Sequence, residues 1–354
     1  MTGAEGRIEA VLRALARLGA REAGPLGEGL GAECAREGLA AAVGMLTAEG
    51  LRAELASVPG PLPAGALLVC AGGVFTAPIE WAALLAAAGV RLWVKPARSA
   101  PALPRALVEE LSAEGLPVAL HEGHAPPDEA PVIVAFGSDG TLRALAEGWP
   151  DRRLVGYGHA WSAALWAPSL EGQNIRHQMM IEHARDLWLY DGRGCMAPTA
   201  LFTTDDPALV ESALYEALQQ AEGRWPTSPL PPALGPVLRE RAGLARVRGR
   251  ARLGGGFGVL TLPAEHFRPL ALGRYATIHP VARLDEVEAA LQGWPGLRST
   301  LGVGGEGAAI RGGLGFSRVC PLGSMQTPPF PRAHDGRPML GAIAEADDGP
   351  RLRA

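Results

Sequence analysis

Cys195 is the side chain in this sequence best suited to covalent chemistry. It lies in the segment DGRGCMAP (residues 191–198), where two glycines and a proline let the backbone turn tightly and leave the sulfur accessible. A thiol is a soft nucleophile, partly ionised near neutral pH, that attacks carbonyl and thioester carbons. Backbone amides in such a turn can hold the developing oxyanion. The alternative interpretation is an inert core cysteine, which we favour for Cys34, Cys70 and Cys320 because their surroundings are apolar.

A glycine-containing turn is the second candidate site. The segment GSDGT (residues 137–141) follows the apolar run VIVAF and opens a predicted helix. Free amides at a helix N-terminus bind phosphate, and Gly137, Ser138 and Gly140 would let a cofactor approach the backbone. The spacing differs from G-x-G-x-x-G, the usual dinucleotide fingerprint, and Ser-Asp-Gly is also an ordinary helix cap. We therefore treat the three residues as candidate cofactor-binding residues.

Two residues are notable for their rarity. Lys95 is the only lysine among 33 basic residues, and Asn174 is the only asparagine. Lys95 ends a predicted strand, at the edge of the sheet where ligands of doubly wound folds bind, so its ammonium can reach ribose hydroxyls or a phosphate. The alternative interpretation is an ordinary surface lysine. Arg98, three residues later, adds a charge suited to a 2′-phosphate. For Asn174 an ordinary structural role is the favoured interpretation.

Composition excludes several classes of protein. Hydrophobic residues make up 47% of the chain and charged residues 20%, with a formal net charge of −4. These values exclude a disordered chain and an electrostatic nucleic-acid binder. The four cysteines form no C-x-x-C pair and no metal-ligand spacing, so we expect reduced thiols, no bound metal and a cytoplasmic location. The most apolar stretch, residues 66–94, is interrupted by Glu80 and three glycines, and the N-terminus lacks the pattern of an export signal, so no membrane span is expected.

Hydrophobic periodicity predicts an α/β fold. Leucine and alanine recur at helical spacing over residues 8–19 and 36–57. Apolar runs typical of buried strands then alternate with helical segments as far as about residue 160. This alternation implies right-handed crossovers and a mostly parallel, doubly wound sheet with helices on both faces.

The same pattern suggests two domains. We assign residues 1–190 to a cofactor-binding domain and residues 191–320 to a second α/β domain that carries Cys195, with residues 321–354 as a segment that can return to the first domain. In the second domain, Asp285 and Glu288 have the spacing of a capping box for the helix DEVEAALQGW.

Taken in chain order, five short segments resemble motifs of the aldehyde dehydrogenase superfamily, and most closely its acyl-CoA reductase branch, which includes the fatty-acid reductase of bacterial bioluminescence. The segments are VKP (94–96), FGS (136–138), GC (194–195), VCPLG (319–323) and HDG (334–336). The resemblance covers most of the chain. It implies that Lys95 contacts the cofactor ribose, that Ser138 lies near the nicotinamide and diphosphate, and that Cys195 is the nucleophile.

Two departures from the superfamily pattern bear on the reaction. Aldehyde-oxidising members have a glutamate that activates water for deacylation, whereas the matching stretch here, LVGYGH (154–159), has no carboxylate. An enzyme that delivers hydride to its thioester has no need of that base. The reductase branch also has Gly-Asn after the first strand, where this chain has Gly72 and Gly73, followed by Phe75 in place of a proline. Losing one oxyanion donor costs on the order of 3 kcal/mol of transition-state stabilisation.

The resemblance therefore implies NADPH-dependent reduction of an acyl-CoA or acyl-carrier thioester to an aldehyde through an acyl-cysteine, with NADH as the other cofactor to consider. It also implies a homo-oligomer. Two alternatives stay open: a catalytically weakened relative that binds nucleotide or carries an acyl group, which Gly73 motivates, and an NAD(P)-dependent aldehyde-oxidising dehydrogenase.

Overall fold

The computed structural model describes residues 3–168, 175–294, 296–307 and 314–344. It divides into two compact units. The first comprises the described residues of Met1–Glu28, Ala35–His159 and Thr327–Ala354, and the second those of Gly29–Cys34 and Ala160–Gln326. Asn174 lies outside the described residues.

The described residues form both helices and strands, which we number in chain order. The α-helices are α1 (Ala4–Ala20), α2 (Ala23–Leu26), α3 (Ala32–Gly44), α4 (Ala48–Ala56), α5 (Ala77–Ala88), α6 (Ala102–Ala113), α7 (Asp139–Gly148), α8 (Arg176–Trp188), α9 (Pro207–Arg224), α10 (Leu234–Arg248) and α11 (Asp285–Gln292). The strands are β1 (Gly65–Val69), β2 (Arg91–Lys95), β3 (Val118–Leu120), β4 (Val132–Phe136), β5 (Arg153–Tyr157), β6 (Ala160–Ala167), β7 (Pro198–Thr203), β8 (Arg250–Leu253), β9 (Gly258–Thr261), β10 (Tyr275–Pro280), β11 (Leu297–Gly305), β12 (Arg318–Pro321), β13 (Ala333–His334) and β14 (Arg337–Pro338).

The first unit is built on a five-stranded parallel sheet in the order β3-β2-β1-β4-β5. Its strands are short apolar runs buried on both faces, as parallel strands covered by helices require. Leu142 of α7 packs on one face against Leu67 and Ile133, whereas α1, α5 and α6 pack with one another. The strand order reverses between β1 and β4, which is the switch point where ligands of doubly wound folds bind.

A C-terminal hairpin completes the first unit. Strands β13 and β14 pair in antiparallel fashion, and the HDG segment makes the turn, with positive φ at Asp335 (51°) and Gly336 (77°). The His334 ring lies 4.1 Å, centroid to centroid, from the ring of Tyr157. Burial lowers the pKa of His334 well below its usual value. The hairpin thus places a neutral imidazole against the end of β5.

The second unit contains a seven-stranded sheet in the order β12-β11-β6-β7-β10-β9-β8, parallel except for the β8–β9 pair. Alternate residues of β6 point to opposite faces. Trp166 packs in a core with α8 and α9, and Leu165 packs in a second core with α11. Together the two units confirm the predicted α/β fold, with a doubly wound first sheet and a second α/β unit that carries Cys195.

The sequence predicted domain boundaries at 190/191 and 320/321, and the compact units divide at other positions. The first boundary lies between His159 and Ala160, because β6 pairs with β7 and β11 and α8 packs on α9. The return to the first unit begins at Thr327. A continuous apolar run such as AWSAALWA does not distinguish a buried strand from a buried helix, so periodicity did not assign β6.

The predicted capping box before α11 is wrong. The helix begins at Asp285 itself, and the residue before it, Leu284, has no capping side chain. The carboxylate of Asp285 pairs with Arg283, and that of Glu286 accepts the backbone N–H of Ala282 at 3.1 Å. The acidic residues therefore stabilise the first helical turn from inside it.

No helix in the part of the chain that the structure describes is long and apolar enough to cross a bilayer.

A buried ion pair fastens the C-terminal segment to α5, and we predict that Arg332→Met destabilises the protein. Arg332 donates to both carboxylate oxygens of Glu80 at 3.1 and 2.7 Å, with side chains 12% and 7% exposed. Removing the arginine leaves a buried carboxylate unpaired, so the free energy of unfolding should fall by about 3 kcal/mol in urea titrations. The control Arg283→Met breaks a fully exposed pair and should change little. Equal effects of the two variants would contradict the prediction.

Candidate active site

Cys195 lies in the turn that leads from α8 into the amino end of β7, and its side chain is half-buried. The backbone before it is left-handed at four positions: Tyr190 (φ 61°), Asp191 (φ 53°), Gly192 (φ 63°) and Gly194 (φ 93°). Glycine adopts this conformation at no steric cost, whereas Tyr190 and Asp191 do so against a steric penalty. The tight turn that the sequence predicted around the thiol is therefore present. It includes Tyr190 and Asp191, whose side chains disfavour left-handed backbone.

Close packing against another backbone segment explains why residue 192 is a glycine. A Cβ atom on Gly192 would lie 2.3 Å from the carbonyl oxygen of Gly273. Real Cβ atoms do not approach that closely, so a side chain here would push the turn away from the segment that precedes β10. The turn is consequently fixed in place by contact as well as by its own dihedral angles.

Ser162 of β6 holds the Cys195 backbone from one side. Its hydroxyl donates to the carbonyl oxygen of Cys195 at 2.5 Å and accepts the backbone N–H of Thr300 at 3.0 Å. The carbonyl oxygen of Ser162 accepts from the Thr199 hydroxyl at 2.8 Å. Ser162 is fully buried, so these bonds are shielded from water. A lone serine in an apolar run carries no sequence signal for this role, and it was not predicted.

Asp191 is held from the other side. Its carboxylate accepts from Nε of Arg274 at 2.7 Å and from the backbone N–H of Ser228 at 3.2 Å. Arg274 also donates to Glu222 at 3.1 Å. None of these residues was singled out from the sequence, because arginines and acids are numerous and only the fold brings these together.

A small cavity of about 70 Å³ adjoins this turn. Gly192 and Arg193 form one wall, and apolar side chains of the loop before α10, including Leu230, form another. The turn that carries Cys195 is thus packed on its flanks and borders this cavity at residues 191–193.

The three other cysteines are less suited to nucleophilic chemistry. Cys34 and Cys70 are buried, and burial raises their thiol pKa values to about 11 and about 12. Cys320 is half-buried, and burial raises its pKa to about 11. Each of these thiols is protonated near neutral pH and lacks the nucleophilic thiolate form.

Lys95 and Arg98 lie at the carboxyl edge of the first sheet. Lys95 is the last residue of β2, and its ammonium donates to the carbonyl oxygen of Gly123 in the loop after β3. Arg98 is exposed in the segment that follows β2. Both positive charges are therefore at the edge where a nucleotide would bind.

The predicted phosphate-binding turn is at the same edge, after β4, with β1 between it and β2. Ser138 is the N-cap residue of α7, and its hydroxyl accepts the backbone N–H of Thr141 at 3.2 Å. Ser138 and Gly140 are exposed, and Gly137 is half-buried with Thr141 3.2 Å from where its Cβ would be. The Asp139 carboxylate accepts the backbone N–H of His159 at 2.8 Å. An exposed helix N-terminus, glycines and two nearby cations fit the phosphates of a nucleotide cofactor.

The structure thus groups five of the six predicted site residues at one sheet edge of the first unit and places the sixth, Cys195, in the second unit. Among the residues that the structure describes, no three His, Cys, Asp or Glu side chains are grouped as metal ligands.

Asp186 of α8 anchors the turn after β12, part of the C-terminal motif found in the sequence. Its two carboxylate oxygens accept the backbone N–H groups of Gly323 at 2.7 Å and Met325 at 2.9 Å. Burial nevertheless raises the pKa of Asp186 from 3.8 to about 7. The cost of desolvating the charge exceeds the gain from the two hydrogen bonds.

Comparison with known proteins gives both a family and a fold. A family model described as acyl-CoA reductase (LuxC) matches residues 126–345, more than half of the chain. No curated protein matches the chain in sequence.

Solved structures similar to this one include several aldehyde dehydrogenases. An NAD-dependent benzaldehyde dehydrogenase from Corynebacterium glutamicum has a TM-score of 0.67 at 14% identity, over 90% of this chain and 81% of that chain. Aldehyde dehydrogenase 21 from Physcomitrella patens has a TM-score of 0.70 at 14% identity, over 97% and 85%. An acetylating aldehyde dehydrogenase from Geobacillus thermoglucosidasius has a TM-score of 0.63 at 14% identity, over 92% and 83%. At these identities the similarity shows a shared fold.

We predict that Asp186 makes stability fall as the pH rises. Because its folded pKa of about 7 exceeds the ordinary 3.8, between about pH 4 and about pH 7 the folded protein holds a proton that the unfolded chain has released. Folding therefore takes up a proton, and the free energy of unfolding contributed by this group decreases through that range. In urea titrations, the free energy of unfolding of the parent minus that of Asp186→Asn should decrease as the pH rises through this range.

The matched control is Asp205→Asn. Burial opposes ionisation of Asp205, but hydrogen bonds from Arg176 and Trp166 lower its pKa below the ordinary value. The free energy of unfolding of the parent minus that of Asp205→Asn should therefore not decrease as the pH rises from about 4 to about 7. A parent and an Asp186→Asn variant with parallel pH profiles would contradict the prediction.

Proposed function

Since this chain belongs to the acyl-CoA reductase (LuxC) family, we propose that it reduces an acyl thioester to an aldehyde through an acyl group held on Cys195. The observation that carries the proposal is the turn at residues 190–194, which presents one half-buried thiol while the other three cysteines have pKa values raised by burial. We expect the substrate to be an acyl-CoA or an acyl-carrier thioester and the protein to act as a cytoplasmic homo-oligomer.

In the first half-reaction, the Cys195 thiolate attacks the thioester carbonyl carbon. The carbon–sulfur bond to the carrier breaks, the carrier leaves as a thiol after taking up a proton, and the acyl group remains on Cys195. Backbone N–H groups of the turn can stabilise the oxyanion, provided that the turn is rigid when charge develops. The hydrogen bond from Ser162 to the Cys195 carbonyl oxygen supplies part of that rigidity.

In the second half-reaction, the acyl-cysteine is reduced. When bound, a reduced nicotinamide cofactor supplies the hydride. The carbonyl carbon of the acyl-cysteine accepts it and becomes a thiohemiacetal alkoxide. As the carbon–oxygen double bond forms again, the carbon–sulfur bond breaks, and Cys195 leaves as a thiolate that takes up a proton from solvent. The products are an aldehyde and a regenerated Cys195 thiol.

The stretch after β4 and α7 favours reduction over hydrolysis of the acyl-cysteine. Residues 154–159, which form β5 and the turn after it, contain no carboxylate. The glutamate that aldehyde-oxidising members use to activate water has no counterpart in this stretch. The missing glutamate argues against the aldehyde-oxidising alternative, because an enzyme that delivers hydride to its thioester has no need of that base.

The cations at the first sheet edge support NADPH as the preferred cofactor. The ammonium of Lys95 donates to the Gly123 carbonyl oxygen. Arg98, three residues later in the chain, is exposed. A 2′-phosphate carries negative charge that NADH lacks, so these two cations favour the phosphorylated cofactor. Gly137, Ser138 and Gly140 would approach the diphosphate.

A second candidate function is that of an acyl-carrying or nucleotide-binding relative with weak turnover. The observation behind it is Gly73, which lacks the side-chain amide that the family has after the first strand. A Cβ on Gly73 would meet no atom within 4 Å, so packing does not require a glycine there. The missing donor would slow acyl transfer without preventing it.

We predict that Cys195→Ala abolishes reduction of acyl-CoA by NADPH, followed by the loss of nicotinamide absorbance over a series of chain lengths. The variant lacks the nucleophile, so the rate should fall to background. Mass spectrometry of the parent mixed with acyl-CoA alone should show one acyl group on the peptide that contains Cys195. Cys320→Ala, which removes another half-buried thiol of the same unit, is the control and should keep its activity.

The outcomes separate the two candidate functions. Acylation of Cys195 without oxidation of either cofactor would favour the acyl-carrying relative. Equal activity of the parent and Cys195→Ala would overturn both.

We predict that Arg98→Asp weakens binding of NADPH about tenfold, a change of about 1.4 kcal/mol, and changes binding of NADH less than twofold. The reason is that only NADPH has a 2′-phosphate for the arginine to neutralise. Titration calorimetry with each reduced cofactor measures both effects. The control Arg91→Asp changes an exposed arginine at the opposite end of β2 and should leave both affinities unchanged. Equal weakening of both cofactors by Arg98→Asp would contradict the assignment.

A further inference from the structure

We infer that Asp191, held by the buried Arg274, is a positioning residue for Cys195: the ion pair holds the left-handed turn in the one shape that presents the thiol. The inference rests on the proposed function for its catalytic consequence. Its structural part, that the carboxylate keeps the turn ordered, can be tested separately.

The turn needs an external restraint. Left-handed backbone at Tyr190 and Asp191 costs free energy relative to ordinary helical or extended backbone, and such conformations persist only where the surroundings fix them. Within the turn, the N–H of Arg193 donates to the carbonyl oxygen of Tyr190 at 3.1 Å, and the N–H of Ala197 to that of Gly194 at 3.3 Å. These two local bonds close the loop but do not tie it to the rest of the second unit.

The Asp191 carboxylate provides the buried tie, while the side chain of Arg193 donates to the carbonyl oxygen of Gly29 at 2.8 Å in an exposed hydrogen bond. One oxygen accepts from Nε of Arg274, which precedes β10, and the other accepts the backbone N–H of Ser228, in the loop before α10. The side chains of Asp191 and Arg274 are 5% and 1% exposed. A charged hydrogen bond out of contact with water is stronger and more directional than one at the surface.

Arg274 is itself immobile, which makes it an effective anchor. Besides Asp191 it donates to Glu222 at 3.1 Å, to the carbonyl oxygen of Trp225, and to the sulfur of Cys34 at 2.9 Å. Every nitrogen of the guanidinium group therefore has a partner on a different part of the second unit. Movement of Arg274 would break several buried contacts at once.

The geometry of Cys195 is consequently set from both ends. Asp191 fixes the chain four residues before the thiol, and Ser162 fixes the carbonyl oxygen of Cys195 itself. The reacting sulfur must meet a carbonyl carbon and its oxyanion donors at the same time, and a displacement of about 1 Å can cost about a hundredfold in rate. Loss of the Asp191 contact should therefore lower the rate of acyl transfer more than the affinity for substrate.

The decisive variant is Asp191→Asn, because asparagine tolerates left-handed backbone as well as aspartate does. The substitution therefore leaves the backbone preference unchanged and removes only the charge and one acceptor. The amide group can accept from Arg274 or from Ser228, but not from both. We expect the single-turnover rate of Cys195 acylation, measured as thiol released from acyl-CoA, to fall at least tenfold, with KM changed less than threefold. Hydrogen exchange of the peptide spanning residues 190–197 should accelerate at least tenfold.

Asp205→Asn is the matched control. Asp205 is also a buried partner of an arginine, Arg176, in the second unit, but it lies beyond the carboxyl end of β7, whereas Cys195 precedes the amino end. This control should leave the acylation rate and the exchange of residues 190–197 as in the parent. Should Asp191→Asn fail to fold, Arg274→Lys keeps the charge while losing the forked contact, and it should produce the same pattern to a smaller degree.

The outcomes distinguish the inference from the proposed function. Unchanged exchange of residues 190–197 in a folded Asp191→Asn variant would overturn the inference, as would faster exchange with an unchanged acylation rate. Faster exchange in Asp191→Asn, together with full activity of Cys195→Ala, would leave the structural tie intact and overturn the proposed function instead.

Discussion

The left-handed backbone at Tyr190, Asp191, Gly192 and Gly194 is the constraint on which the candidate site depends. It places Cys195 at the amino end of β7 and makes the chain turn so sharply that Gly192 contacts the backbone at Gly273. Such a turn is costly in isolation. The buried partners around it, Ser162 on one side and the Asp191–Arg274 pair on the other, supply the free energy that keeps it formed.

The candidate residues of the two units lie at different sheet edges. In the first unit, the carboxyl edge brings together Lys95, Arg98 and the amino end of α7, which suit the phosphates of a nucleotide. In the second unit, the amino end of β7 carries the thiol. The chain belongs to the acyl-CoA reductase (LuxC) family and shares its fold with an NAD-dependent benzaldehyde dehydrogenase.

Buried charges recur in this protein at places where the chain must be held in an unusual path. Glu80 with Arg332 secures the segment before the C-terminal hairpin, Asp191 with Arg274 secures the cysteine turn, and Asp186 secures the turn after β12. Each carboxylate accepts hydrogen bonds at geometrically fixed points, which apolar packing cannot specify. At Asp186 the cost of desolvation outweighs the two backbone hydrogen bonds and the nearby arginines, and burial therefore raises its pKa.

The sequence by itself determined the fold class, the family resemblance and the residue types of the site, because hydrophobic periodicity and short motifs are local properties. It indicated Cys195, Lys95 and Ser138 from their neighbours in the chain. Only the tertiary structure decided where the units divide and what holds the thiol. The apolar sequence of β6 is compatible with a buried helix or a buried strand, and only its pairing with β7 and β11 makes it a strand. Arg274 and Asp191 are 83 residues apart, and no local pattern encodes a contact that exists only once the sheet has formed.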